Sequence, residues 1–254
     1  MAIASLANER VKYARSLHRE RVRTREKRFL IEGIRLVEEA LHAGVRPVLA
    51  FYTAHLLDSL RGQALQAQLA QDRRALVEVT PEVMEAIADT VTPQGVLAVA
   101  PIPTLPLPER GLLVVLDGLR DPGNVGTILR TAWAAGVAGV LATRGTADPY
   151  APKVVRAGMG AHFHVPLRTG LDLPDLAELL AGAEILLADE QGRPYWEVPW
   201  LAVRALIIGG EARGSEIAAS LAGGRVTVPM APGVESLNAA IAAAVLMFEA
   251  KRQT

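Results

Sequence analysis

The chain has 254 residues, half of them hydrophobic and 21% charged, with no cysteine and a formal net charge of zero. This much apolar material excludes extensive disorder, and the length suits two domains better than one core. Without cysteine there is no disulfide and no thiolate metal ligand, and the longest apolar run, Ala239 to Phe248, is about half of a bilayer-spanning helix. The opening residues lack an apolar stretch behind a basic one, so no secretory signal is expected; the expected location is cytoplasmic, with no membrane partner.

Zero net charge conceals an asymmetry. Between Met1 and Arg35 ten cations face four Glu, a local balance of +6 that the remainder offsets. Such a block releases counterions from a polyanion, which makes Arg10, Lys12, Arg15, Arg19, Arg21, Arg23, Arg25, Lys27 and Arg28 candidate RNA contacts. It reads equally well as a solvated helix face supported by pairs with Glu9, Glu20, Glu26 and Glu32. The arm alone does not separate the two.

Residues 1–100 read as a small α/β unit. A basic helix comes first, then a strand at Arg28–Glu32, a helix at Ile34–Ala43 and a strand at Pro47–Tyr52. Short strands follow at Leu76–Val79 and Gly95–Ala100, with a helix between them at Pro81–Ala88 behind the cap Thr80. PIPTLPLPER, four prolines in residues 101–110, supports neither a helix nor a central strand and marks a linker. Residues 111–254 then alternate strands with helices, the pattern of a parallel sheet covered on both faces. The strands are expected at Leu112–Leu116, Gly139–Ala142, Ile185–Ala188, Ala205–Ile208 and Arg225–Val228. Helices are expected at Val125–Ala135, Pro152–Met159, Asp175–Ala181, Glu216–Leu221 and Ser236–Arg252.

Three strand-end segments carry the chemistry. LDGLRDPGNVGTILR turns through Asp121, Pro122 and Gly123 into a helix, with Asn124 as the expected cap and Arg130 two turns in, beside Thr127 and Thr131. LIIGGEARGSEI ends a buried strand in Gly209 and Gly210, where bare backbone lets a ligand approach and leaves N–H groups to bind it. VTVPMAPGVESLN leads into an Ala-rich helix expected to open at Ser236, which leaves Asn238 in the first turn, where an amide needs a partner. His162 and His164, two apart on an expected strand, have no suitable third ligand nearby, so no metal is expected.

In this order, NVGTILR, IIGGEARG and VPMAPGVESLN resemble the motifs of the SpoU/TrmH family of RNA ribose methyltransferases in the SPOUT superfamily, and KVVRAGMGAHFHVP looks like the segment the family places between the first two. The likeness runs from about Leu112 to the end, and the N-terminal region resembles the small substrate-binding domain that many members carry. Gly210 and Gly158 depart from the larger or polar residue and the serine common at those positions.

The resemblance implies a parallel-sheet α/β domain with a trefoil knot, a homodimer with shared active sites, and S-adenosylmethionine as methyl donor to a ribose 2′-hydroxyl of RNA, ribosomal ahead of transfer RNA. It implies catalytic positions at Asn124, Arg130, Glu211, Ser236 and Asn238. Gly209, Val228 and Leu237 would line the adenosine site, with Ala188 and Met230 beside it and Gly210 and Gly214 in its glycine loop. Two rival readings are an RNA-binding protein of this fold without turnover and a nicotinamide-dependent oxidoreductase. The latter lacks GxGxxG after the first strand of this domain, and its second strand ends in Thr143 and Arg144 instead of an acid.

Overall fold

The computed structural model describes residues 2–71, 75–210, 215 and 217–254. The chain divides into two compact units, Met1–Pro103 with Tyr150–Phe163, and Thr104–Pro149 with His164–Thr254.

In the first unit the basic arm forms two helices, α1 (Glu9–Ser16) and α2 (Glu20–Glu26), instead of one. Asn8 caps α1 by accepting from the Arg10 N–H. The unit continues with β1 (Arg28–Glu32), α3 (Ile34–His42), β2 (Leu49–Tyr52), α4 (Leu60–Gln71), β3 (Ala75–Glu78), α5 (Pro81–Ile87) and β4 (Val96–Pro101). The sheet order is β1-β4-β2-β3, with only β2 and β3 parallel. Its core gathers Val11 and Leu17 of the arm with Phe51, Met84, Ile87 and Leu97. The helix α4 was not anticipated, because its polar run LRGQALQAQLAQ buries only Gly62, Leu65 and Leu69.

The second unit holds β5 (Leu113–Asp117), α6 (Pro122–Ala135), β6 (Gly139–Thr143), β7 (Leu167–Leu171), α8 (Leu173–Leu179), β8 (Glu184–Pro194), β9 (Val203–Gly209), β10 (Gly224–Thr227) and α9 (Ala239–Arg252). The helix α7 (Pro152–Gly158) falls in the first unit, where it packs on β1. The six strands are all parallel, in the order β10-β8-β9-β5-β6-β7. Leucine, isoleucine and valine fill both faces of the central strands, and β5 and β6 are buried throughout. From β5 the chain winds outward to β6 and β7, then returns on the other side of the sheet. The reversal lies between β5 and β9, so the crevice outside their carboxyl ends is where this architecture places ligands.

Several boundaries differ from the sequence expectation. The cap of α6 is Asp121, whose side chain accepts from the Asn124 N–H at 2.8 Å, and Asn124 lies inside the first turn. Ser236 precedes α9, which starts at Ala239 behind Asn238 as its cap. Asparagine caps as well as serine does, and here it wins because its oxygen reaches the N–H groups of Ala240 and Ile241. The helix expected over Glu216–Leu221 is a 3-10 turn at Ala219–Leu221, with Glu216 outside the described residues. The pair His162 and His164 is not on a strand: Ala161–Phe163 is a 3-10 turn with His162 buried, and His164 stacks on Trp133 at 4.3 Å between ring centroids. Trp133 is 37% exposed in that stack. Strand β7 escaped notice because its outer half, Thr169–Leu171, is not buried.

Candidate active site

The site begins with an interruption in a strand. β10 pairs with β8 from Gly224↔Leu186 to Arg225↔Leu187, and then the partner of Val226 becomes Arg193. Residues 188–192 of β8 are therefore looped out of the ladder. Gly192 closes this excursion: a Cβ there would stand 2.4 Å from the carbonyl carbon and 2.5 Å from the nitrogen of Val226, an approach only glycine permits.

The loop so formed is one wall of a cavity of about 450 Å³ at the carboxyl ends of β8, β9 and β10, within the usual range for small-molecule sites. Ala188, Asp189, Glu190 and Gln191 come from the loop; Gly209 and Gly210 come from the end of β9. Val228, Met230, Ser236 and Leu237 come from the connection between β10 and α9, and Ala239, Ala242 and Leu246 of α9 form the apolar floor. Asp189 pairs with Arg225 at 3.4 Å, and both line the cavity. The cavity thus offers apolar surface on one side and acidic, amide and hydroxyl groups on another.

Beside the cavity two helix starts are pinned together. The Asn238 side-chain amide donates to the Asn124 side-chain oxygen Oδ1 at 3.0 Å, while its own oxygen caps α9. One side chain thus joins the starts of α6 and α9, which also pack against each other along their length. Arg130 lies on the exposed face of α6 with Thr127. Its cation is presented to solvent.

Beneath the cavity sits a group that sequence reasoning passed over. Asp117, fully buried at the end of β5, is the register partner of Gly209. One carboxylate oxygen accepts from the Thr143 hydroxyl at 2.8 Å. The other accepts from the Ser215 hydroxyl and from the N–H groups of Ile217 and Ala218, the latter two at 2.7 and 2.8 Å. Burial alone would raise the pKa of this carboxyl; the hydrogen bonds outweigh it and hold the group below the ordinary aspartate value. The available signal was an aspartate ending an otherwise apolar strand, LVVLD, where an unpartnered charge is prohibitively costly.

Of the residues suggested by the sequence, Ala188, Gly209, Gly210, Val228, Met230, Ser236 and Leu237 line one cavity. Asn124 and Asn238 meet beside it, and Glu211 and Gly214 lie outside the described residues. Among the described residues no His, Asp or Glu cluster is suited to a metal ion, and no helix is long and apolar enough to cross a membrane. In the basic arm Arg10, Lys12, Arg15, Arg19, Arg21, Arg25 and Lys27 are exposed. Arg23 departs from its expected place: it is buried and donates to the carbonyls of Leu17 and His18, both at 2.8 Å, closing the end of α1. Arg28 is partly buried and donates to the Tyr13 hydroxyl at 2.9 Å.

The sequence model of the SpoU rRNA Methylase family matches residues 111–248, the stretch that contains the whole cavity. The chain belongs to the SpoU rRNA methylase family. The MRM3-like substrate binding domain matches residues 8–98 of this SpoU chain. It is 34% identical to the 23S rRNA (guanosine(2553)-2′-O)-methyltransferase RlmP of Bacillus subtilis, over 97% of each protein. Identity reaches 36% with an uncharacterised tRNA/rRNA methyltransferase of Synechocystis, over 99% of this chain and 94% of the relative. The AdoMet-bound crystal structure of an rRNA methyltransferase from Sinorhizobium meliloti superposes with a TM-score of 0.85 at 30% identity, covering 99% of this chain and 97% of that one.

Proposed function

We infer that this SpoU protein transfers a methyl group from S-adenosylmethionine to a ribose 2′-hydroxyl of ribosomal RNA. The single observation that carries the reading is the convergence of three sequence-distant loops on one 450 Å³ cavity within the family-matched region. The cavity suits the donor: apolar side chains of α9 and Val228 can flank a purine, bare backbone at Gly209 and Gly210 can meet its polar edge, and the acids of the 188–192 loop can face its cationic end.

When bound there, the donor supplies an electrophilic methyl carbon on a good leaving group. The chain's own part is alignment and charge. Arg130 holds a phosphate next to the target ribose and stabilises the developing alkoxide; a guanidinium stays protonated and is unsuited to act as the base. Asn238 and Asn124 brace the helix that carries Arg130 against the wall of the cavity. Ser236, exposed at the cavity lining, and Glu211 orient groups near the reacting atoms.

The exposed cations of α1 and α2 receive the RNA backbone. A homodimer is favoured by the apolar residues Ile241 and Phe248, about half exposed and two turns apart on α9, which a second copy would cover. The trefoil knot belongs to this reading as a family trait, and a cytoplasmic location suits an enzyme acting on ribosomal RNA.

Two measurements test the assignment. Calorimetry should show the protein binding S-adenosylmethionine without added metal. Tritiated methyl transfer to total RNA lacking the modification should label a ribose 2′-oxygen in ribosomal RNA. No binding removes the enzyme reading, label on a base removes the ribose, and label in transfer RNA moves the substrate.

A further inference from the structure

Asp117 makes none of the contacts expected of a group that touches substrate, yet its bonds lead to the cavity wall. Its partners Ser215, Ile217 and Ala218 follow the glycine loop of β9, and Ser215 lines the cavity itself. Its neighbour in register, Gly209, is another lining residue. On the other side Asp117 leads directly into the turn before α6, where the N–H of Gly118 is held by the hydroxyls of Thr143 and Thr146 at 3.3 and 3.1 Å. One buried carboxylate therefore fastens the loop behind the second motif to the strand that launches the first.

A buried anion is costly unless donors compensate it, and here four do. It is a good choice where two N–H groups and a hydroxyl must converge on one point, because a carboxylate oxygen accepts several donors at once. We propose that Asp117 is a positioning residue for the methyl-donor pocket, acting through Ser215 and the backbone at Ile217 and Ala218 to hold the pocket wall in its binding conformation. This rests on the cavity being the donor site.

The test uses the full chain with Asp117→Asn, which keeps the shape and one acceptor oxygen, and with Ser215→Ala. Asp117→Asn should weaken S-adenosylmethionine binding by calorimetry and raise its KM, each about tenfold. Turnover at saturating donor and the KM for RNA should stay within about twofold. Ser215→Ala should shift donor affinity in the same direction by less. Amide hydrogen exchange at Ile217 and Ala218 should accelerate in Asp117→Asn without added ligand, and restoring Asp117 should restore both readouts.

Unchanged donor affinity in a folded Asp117→Asn overturns the proposal, as does lost turnover with affinity intact. If that variant does not fold, unchanged affinity in Ser215→Ala overturns it. If the parent protein itself binds no S-adenosylmethionine, the reading of the cavity has failed; the exchange rates then still decide whether Asp117 holds the loop, unchanged rates counting against it.

Discussion

At the scale of single residues, Arg130 and Asn238 make separable predictions. Arg130 is exposed and is not among the residues that line the cavity, so its removal should leave the proposed donor site intact. Arg130→Ala should lower kcat by about 10²–10³-fold, the usual cost of losing one charge-stabilising donor, with donor affinity within about twofold by calorimetry. Asn238 does two jobs with two ends of one amide. Asn238→Asp keeps the capping oxygen but loses the N–H that reaches Asn124, whereas Asn238→Ala loses both. Thermal melting should therefore register a loss of about 1 kcal/mol for the alanine and almost none for the aspartate, while both lower methyl transfer. Equal activity in Asn238→Asp and the parent would dismiss the bridge to Asn124. The motif residues were legible through three segments in a fixed order, since glycines and asparagines are ordinary at strand ends and Arg130 lies inside α6; the role of Asn238 as the cap was not, since Ser236 is an equally good cap two residues earlier.

At the scale of elements, the departure of β8 from its ladder creates the cavity, and Gly192 makes the departure possible. Gly192→Ala has no flexible neighbour to displace, only the backbone of Val226. Urea denaturation should show a loss of about 1–3 kcal/mol and calorimetry a weaker donor site. The excursion was invisible in the sequence, where Ile185–Ala188 reads as a strand that simply stops. Nothing local to ADEQGRP says that pairing resumes with a later strand.

The far end of α9 is secured by a second polar cluster. Glu249 accepts from Arg252 and from Gln253, which also bonds Val198 and the Trp200 N–H. The hydrogen bond from Arg252, then that from Gln253, lowers the pKa of Glu249 to about 2. A lowered folded value adds stability above the unfolded value, near 4.5, that fades as pH falls through the folded one. Melting temperature should thus decline between pH 4.5 and 2, with Asp117 contributing in the same direction. In Glu249→Gln that decline should be shallower; an identical acid profile would show that Glu249 does not contribute.

At the scale of the whole molecule, a neutral chain carries a strongly basic arm, and the proposal that its exposed arginines meet the RNA backbone predicts a salt dependence. Replacing Arg19 and Arg21 by Gln should weaken RNA binding evenly across sequences. It should also reduce the slope of log affinity against log salt by roughly 1.4 for a single strand if each meets one phosphate. A slope unchanged by the double substitution would assign these residues to a solvated helix face. Composition alone could not choose, because a solvated face and a phosphate footprint use the same residues; the structure narrows the set, since Arg23 is committed to the end of α1. The first stretch of the first unit ends at Pro103, and the return of Tyr150–Phe163 to that unit depends on packing against β1 that no local pattern announces.

The link between Asn238 and Asn124 has a consequence for enzymology. Carboxamides neither gain nor lose a proton at any pH the protein would survive, so the brace that fixes α6 beside the cavity is the same in acid and alkaline assays. An inflection in the rate between neutral and mildly alkaline pH would not come from this scaffold changing shape. It would report a titrating group, the acceptor of the ribose 2′-proton among the candidates, and substituting that group would move the inflection.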